Sequence, residues 1–285
     1  MRHGKGPDVP ALTVIVSALH ASHTIQRTLR TTLRALPKDA EVVVAVDGPD
    51  PDTATAACAI TDPRVRVIED EINLGTAARH QVVLQRTDSE FVANMDADDL
   101  AFPWRFKPFL GMMRTFDAVF AGAIRFGAGI PRPSYPIGLT GEELDAALLF
   151  CCPVYHSSLV ARRSVLLDAG GYRPIRHGED YELWVRLAAR GARLHKAAYP
   201  SIGYRLSPGQ LSGEENFEAK AAQDPRFVES FTLLAQRLGV RAELREGRRR
   251  VQRSSLQTLL AGYRGPVRRY LQRQAGATAT IVDSM

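Results

Sequence analysis

Residues 90–99 read EFVANMDADD, and this stretch decides the fold. Residues 90–95 make a short apolar run of the kind found in a strand buried on both faces. It runs straight into Asp96-Ala97-Asp98-Asp99, three carboxylates within four positions. Carboxylates this close repel one another unless a cation or hydrogen-bond donors offset them. A hard divalent cation such as Mn²⁺ or Mg²⁺ takes oxygen ligands and often bridges to phosphates. On a continuing strand, Asp96 and Asp98 would point to the same side. The other reading is a cap, with Asp98 or Asp99 starting a helix near Trp104.

Upstream, strand and helix alternate. Residues 11–18 (ALTVIVSA) are a β-branched run ending near Ser17. Residues 24–36 place Ile25, Leu29, Leu33 and Leu36 at helical spacing. Residues 41–46 form a second strand closed by Asp47-Gly48-Pro49, and residues 53–60 an alanine-rich helix. Residues 65–69 are a third strand and 76–85 a third helix, entered through Asn73-Leu74-Gly75. Such alternation predicts a mostly parallel sheet covered by helices on both faces. Right-handed crossovers then bring every strand's C-terminal end to one edge, where open α/β sheets bind ligands. Ser17, Asp47 and the aspartate cluster all fall there.

Downstream, residues 104–116 read as a helix and 118–126 as a strand. Residues 127–141 are rich in Gly and Pro and read as a flexible loop, able to order over a ligand. Residues 156–162 suggest another strand, and 164–169 a short helix stopped by Gly170-Gly171. Residues 180–190 form an amphipathic helix that turns Leu183, Trp184, Leu187 and Ala188 inward. Residues 193–204 are strand-like, and the tail from about 214 is mainly helical.

Of the 285 residues, 45% are hydrophobic and 24% charged, as in a globular protein. No stretch approaches a membrane-spanning helix, and the polar first ten residues hold no signal-peptide core. The expected location is the cytoplasm. Cys58, Cys151 and Cys152 have neither disulfide nor zinc spacing, and read as buried apolar cysteines in a reducing compartment. The net charge of +6 is uneven, because arginines dominate from Arg226 onward. A solvated helix face accounts for them; so would an anionic membrane surface. No nucleic-acid motif accompanies them.

Several side chains carry two readings. Glu179 and Asp180 open the amphipathic helix, where they could cap it or provide a general base. His156 could be structural or catalytic. Asp47 could start a turn, and Arg79 could be an exposed helical arginine.

The ordered set is more specific than its parts. Ser17, then Val43 to Gly48 (VVAVDG), then Asn73-Leu74-Gly75 with Ala78-Arg79, then Asp96-Ala97-Asp98-Asp99 appear in sequence. Pro153 to Ser158 (PVYHSS), Gly170-Gly171-Tyr172, and Glu179 to Trp184 (EDYELW) with Arg186-Leu187 follow, and then Tyr204-Arg205 with Gln210-Leu211-Ser212. Over about residues 11–213 the chain resembles the family 2 glycosyltransferases.

The resemblance implies a GT-A, Rossmann-like α/β fold and an inverting, metal-dependent hexosyl transfer from a nucleotide-diphosphate sugar. UDP is the nucleotide most in keeping with the family, and cell-surface polysaccharide or glycolipid synthesis the setting. A non-catalytic nucleotide-sugar-binding regulator of the same fold is the alternative. Ser17, Asp47, Asn73, Arg79, Asp96, Ala97 and Asp98 would bind the donor. Asp98 would hold Mn²⁺ or Mg²⁺, and Asp180 would be the base with Glu179 beside it. His156, Trp184 and Asp99 would shape the acceptor or sugar pocket. The implied organisation is a tail over 1–10, a catalytic domain over 11–213 and an Arg-rich helical extension over 214–285. The catalytic domain divides into a nucleotide-binding half, 11–100, and an acceptor half, 101–213. The extension is the part expected to touch an anionic membrane or to pair with a second copy.

Departures from the family pattern are specific. Val46 stands before Asp47 where relatives often carry a second acid, and Pro49 where serine is usual. Ser207 occupies a position at which many relatives place a metal-approaching histidine. The Gln-x-x-Arg-Trp element of processive synthases is missing.

Overall fold

The computed structural model describes residues 9–134, 136–207, 217–245 and 247–285. Its first half is the expected alternation: β1 (Leu12–Ala18), α1 (Ile25–Ala35), β2 (Ala40–Val46), α2 (Pro51–Cys58), β3 (Val65–Glu69), α3 (Thr76–Arg86) and β4 (Phe91–Asp96). Next come β5 (Leu100–Ala101), α4 (Lys107–Met112), β6 (Ala118–Phe126), β7 (Arg132–Ser134), β8 (Leu139–Thr140) and α5 (Glu142–Leu148). A 3₁₀ turn (His156–Ser158) leads into β9 (Val160–Arg162), α6 (Arg163–Asp168), α7 (Glu179–Ala189) and β10 (Leu194–Arg205). The C-terminal region holds α8 (Phe217–Ala221), α9 (Pro225–Arg237), β11 (Ala242–Arg245), β12 (Arg248–Gln252), α10 (Arg253–Ala261), α11 (Gly265–Thr278) and β13 (Ala279–Val282).

The main sheet has the order β3-β2-β1-β4-β9-β6-β10-β5, with β7 beside β6 and β8 beside β10. Strands β1 to β4 pair in parallel. β9 is antiparallel to both β4 and β6, and β10 runs parallel to β6. β4, β6 and β10 therefore all end on the edge where β1 and β2 end. Register fixes the level: Ser17 lies opposite Asp96, and Ala18 opposite Val46, the residue before Asp47.

The strands are apolar throughout because both faces are covered. Val14 and Val16 of β1, with Val42, Val44 and Val46 of β2, enter one core beneath α1, α2 and α4. Ile15, Val43 and Ala45 enter the other, with α3, α5 and α7. Period-two alternation sends successive side chains of one strand to opposite cores.

Four expectations change. The helix expected over 104–116 is confined to Lys107–Met112. The Gly/Pro-rich stretch 127–141 contains β7 and β8, which find partners in β6 and β10. The C-terminal extension adds a three-stranded sheet, β11-β12-β13, to its helices, and Arg249 is buried in β12. Its arginines are thus not all on a helix face: Arg249 donates to the Tyr181 hydroxyl at 3.0 Å. The three cysteines are free, but Cys58 is exposed, because it ends α2 on the solvent side. Among the described residues no helix is long and apolar enough to cross a membrane.

Candidate functional site

The edge where the parallel strands end gathers most of the singled-out residues. Asp47 follows β2 and is buried. Its carboxylate accepts from the backbone N–H of Leu74 and of Gly75, each at 2.8 Å, and from Arg79 Nε at 2.8 Å. Arg79 also donates to the Ile72 carbonyl at 2.9 Å and pairs with Asp70. An exposed helical arginine is therefore ruled out: two carboxylates draw Arg79 inward, leaving it 1% exposed. Asp47 and Arg79 lock the 72–75 loop against the sheet edge, with Asn73 exposed; Ser17, half-buried, lies level with Asp96 on β1.

The aspartate cluster is arranged by a turn, not by strand alternation. β4 stops at Asp96, and Asp99 N–H donates back to the Asp96 carbonyl at 3.2 Å. Ala97 is buried, its carbonyl accepting from Thr28 Oγ1 at 2.9 Å. Asp98 stays half-exposed, and its carboxyl is pushed up by partial burial and the charge of Asp96, against the opposing pull of Arg205. Asp99 is wholly buried and accepts from the Arg205 N–H at 2.8 Å. Burial and the charge of Asp96 hold its carboxyl well above the usual range. Asp99 thus anchors the end of β10 from beneath the surface, rather than lining a pocket. None of the three acids caps α4, whose N-cap is Phe106.

His156 lies on the 3₁₀ turn and not on a strand. Ser158 explains the turn: its hydroxyl donates to the Tyr155 carbonyl at 2.7 Å and accepts from Ala121 N–H at 3.2 Å. Local side-chain bonds of this kind compete with ladder pairing. Ser157 accepts from Asp96 N–H at 2.9 Å, so the turn is tied to the end of β4. His156 Nδ1 is 3.0 Å from Asp96 Oδ1, an ion pair when the ring is protonated. Burial alone would depress the imidazolium, but the Asp96 hydrogen bond and the charges of Asp96, Asp180 and Glu179 push it up to about 9.

Glu179 and Asp180 face this histidine from the start of α7. The N-cap is Gly178 in the left-handed region (φ 72°), so neither acid caps the helix. Asp180 accepts from its neighbour Tyr181 N–H at 2.7 Å. Burial raises its carboxyl, opposed by the charge of His156. Glu179 is pushed up to about 7 by burial and by Asp180. The chain thus brings Asp96, His156, Glu179 and Asp180 from three separate segments into one electrostatic unit. Trp184 is one turn along α7 but fully buried, edge-on to Phe120 at 4.9 Å between ring centres. It backs His156 at 6.5 Å between ring centres and does not itself line the open edge.

Three supporting residues, Asn94, His80 and Arg105, are absent from the ordered set of motifs. Asn94 is a polar residue inside β4, with Nδ2 2.8 Å from His156 Nε2 and 2.6 Å from the Tyr172 hydroxyl. His80 stands edge-on to His156 at 4.5 Å between ring centres. Arg105 is wholly buried beneath the cluster and donates to the Asn94 carbonyl at 2.7 Å. Burial lowers its guanidinium to about 9, against the stabilising charges of Asp99 and Asp96. A polar asparagine within the apolar strand β4 was the available hint.

The donor set suits a hard cation. Asp98 beside Asp96 presents carboxylate oxygen, and the upward shift of Asp98, due first to burial and then to the charge of Asp96, is one that a divalent cation would oppose. Among the described residues no three His, Cys, Asp or Glu side chains form a ready-made cage. A cation here would complete its shell with water and phosphate oxygens, as Mg²⁺ does. Gln210, Leu211 and Ser212 lie outside the described residues.

Comparison with known proteins gives concordant results. Residues 13–164 match the family described as Glycosyl transferase family 2. The succinoglycan biosynthesis protein ExoU of Rhizobium meliloti is 31% identical over 210 residues, 66% of this chain and 61% of that protein. The chain thus spans less than two thirds of that relative's length. The Escherichia coli UDP-Glc:alpha-D-GlcNAc-diphosphoundecaprenol beta-1,3-glucosyltransferase WfaP is 22% identical over 211 residues, 72% of this chain and 80% of that enzyme. Among solved structures, S. aureus TarS 1-349 in complex with UDP-GlcNAc superposes with a TM-score of 0.65. That match has 17% identity and covers 94% of this chain and 73% of the other.

Proposed function

This chain belongs to glycosyl transferase family 2, and on that premise we propose an inverting sugar transfer from a nucleotide-diphosphate donor to an acceptor hydroxyl. UDP is the proposed nucleotide, supported by the TarS complex with UDP-GlcNAc and by the UDP-Glc in the name of WfaP. The proposed setting is bacterial polysaccharide assembly, in keeping with ExoU and WfaP. The latter's diphosphoundecaprenol substrate supports a lipid-linked saccharide as acceptor.

One observation carries the reading: Asp96 with His156, and Glu179 with Asp180, meet at the edge where the parallel strands end. The Asp47–Arg79 lock presents the 72–75 loop to the nucleoside. Asp98 would hold the divalent cation, which supplies charge to offset the leaving diphosphate. Asp180 takes the proton of the attacking hydroxyl. The Tyr181 N–H on its Oδ1 fixes the orientation of the carboxylate. Imidazolium at His156 steadies Asp96 and Asp180 as anions. Glu179, raised to about 7, lowers the negative charge around the base when protonated.

A thermal-shift series with UDP-, dTDP- and GDP-sugars, with and without Mn²⁺, tests the donor site. A ligand that binds only the folded state stabilises it by RT ln(1 + [L]/Kd). The expected result is a Mn²⁺-dependent rise with UDP-sugars that Asp98→Ala abolishes. Unchanged metal dependence in that variant would remove Asp98 from the assignment.

The Arg-rich extension is proposed to rest on anionic lipid. Arg264, Arg268, Arg269 and Arg273 are exposed in and beside α11 and form no ion pair among the described residues. Each basic residue close to such a surface adds about 1 kcal/mol. Changing all four to Gln should release the protein from phosphatidylglycerol vesicles in co-sedimentation, and equal pelleting would contradict the idea.

A further inference from the structure

A second basic feature lies on the catalytic edge, apart from the residues assigned above. β6 and β7 form an antiparallel pair in which Arg125 stands directly opposite Arg132. Both side chains are exposed, and neither forms an ion pair among the described residues. Like charges opposite one another on a ladder are destabilising. Such a pair is retained at a cost unless an anion sits between the two guanidinium groups.

The pair borders a built hollow. A cavity of about 250 Å³ is lined by Arg125, Ala128, Gly129, Ile130, Arg132 and Leu206. Ala128, Gly129 and Ile130 bring the connection from β6 to β7 into its lining. Gly127 has φ 99°, and a Cβ there would lie 2.7 Å from the Leu206 carbonyl oxygen, so only glycine permits this approach. Leu206 N–H in turn donates to the Phe126 carbonyl at 2.7 Å. The hollow is therefore held against the end of β10. Its lining is also chemically mixed: the two arginines are joined by the apolar Leu206 and Ile130, the latter 76% exposed.

Its position relates it to the transfer site. Tyr204 of β10 is the register partner of Arg125, and the next residue, Arg205, donates from Nε to the Asp98 carbonyl at 3.0 Å and from its N–H to Asp99. The hollow thus lies one strand beyond the Asp98–Asp99 turn. It is on the β6–β10 side, away from the Asp47–Arg79 lock proposed for the nucleoside.

We propose that Arg125 and Arg132 cradle the diphosphate of an acceptor whose saccharide is joined through that diphosphate to an apolar chain. This rests on the glycosyltransferase reading and adds to it a second, acceptor-side phosphate site. The planar forks of two arginines match phosphate oxygens in pairs, and a diphosphate between them removes their mutual repulsion. Ile130 and Leu206 provide apolar contact for the first units of the chain. The saccharide end is then directed past Tyr204 towards Asp98 and Asp180.

Binding to the full-length protein distinguishes the sources of such an anion. The probes are farnesyl diphosphate, farnesol, inorganic pyrophosphate and UDP with Mn²⁺, titrated against wild type, Arg125→Gln/Arg132→Gln and Arg125→Lys/Arg132→Lys. Both positions are exposed, and the melting temperature of each variant reports its folding. The expected pattern is that wild type binds farnesyl diphosphate more tightly than pyrophosphate or farnesol. The Gln pair should weaken that binding about tenfold or more, the Lys pair less, and neither should change UDP affinity. Equal farnesyl diphosphate binding by wild type and the Gln pair would overturn the assignment. So would a parallel loss of UDP affinity, which would give the arginines to the donor's own diphosphate. Retained UDP binding with no farnesyl diphosphate binding would overturn this inference alone; loss of both in wild type would overturn the transferase reading with it.

Discussion

Asp180 and His156 carry opposite charge demands within one buried space, and this sets what single substitutions should do. Asp180→Asn keeps the shape of the carboxyl and removes its basicity. Turnover should fall about 10²- to 10⁴-fold, while UDP affinity stays within twofold; an equal loss of both would make Asp180 a structural residue. The histidines give a pH signature. His156 is pushed up to about 9, whereas burial and the charge of His156 hold His80 down to about 3. Between those limits the folded pair keeps one proton. Unfolded, both rings titrate near the ordinary 6.5, holding two protons below it and none above. Stability from His156 is therefore present below about pH 6.5 and lost as pH rises through about 9. That from His80 is present above about 6.5 and lost as pH falls towards 3. Urea midpoints should show a fall above pH 6.5 in wild type that is reduced in His156→Gln. The same slope in both proteins would contradict the shifted pair. Of these residues, Asp96, His156, Glu179 and Asp180 were legible from an ordered set of motifs. Asn94 and His80 were not, because an isolated polar residue in an apolar element looks the same whether it faces a site or a core.

At the level of elements, loops and helix starts aim the side chains that the sheet brings level. Gly48 follows Asp47 with φ 90°, and a Cβ on it would sit 2.9 Å from Asn73 N. Gly48→Ala should cost about 1–3 kcal/mol through strain and contact. It should also weaken donor binding by displacing the 72–75 loop. A variant that melts normally and binds UDP like wild type would show that the loop has other support. Helix α7 is held from behind by a buried network: Glu182 accepts from Arg186 at 2.8 Å and from Ser230 of α9 at 2.7 Å. Arg186 then donates to the Gly171 carbonyl at 2.7 Å, fixing the segment that delivers Tyr172 to Asn94 and His156. Periodicity showed α7 and its inward Leu183, Trp184 and Leu187. It also suggested a strand over 156–162, with His156 at its start. Serine hydroxyls turned that start into a 3₁₀ turn instead.

Across the whole molecule, the C-terminal extension shares the catalytic domain's core. Phe227, Phe231 and Leu234 of α9 and Leu271 of α11 are buried together with Tyr181, Leu183 and Trp184 of α7. Tyr181 packs edge-on to Phe227 at 5.0 Å between ring centres and receives a hydrogen bond from Arg249. Removing residues 225–285 would uncover that face of α7. Each large buried side chain lost costs about 2–5 kcal/mol. The truncated protein should therefore aggregate or lose its cooperative thermal transition. A truncated chain that melts like the full one and still transfers sugar would show the extension to be an independent appendage.

The sequence by itself determined the alternating first half, the polar residues at the ends of its strands and the family. These features are local: a buried parallel strand must be apolar along its length, and its ligand-facing end must be polar. Tertiary structure alone decided that Asp99 is an internal anchor, that Arg79 is buried on Asp47, and that Arg125 opposes Arg132. It also decided that the basic tail closes over α7. Each depends on contacts between segments far apart in the chain, and neither spacing nor composition specifies which distant group will compensate a given charge.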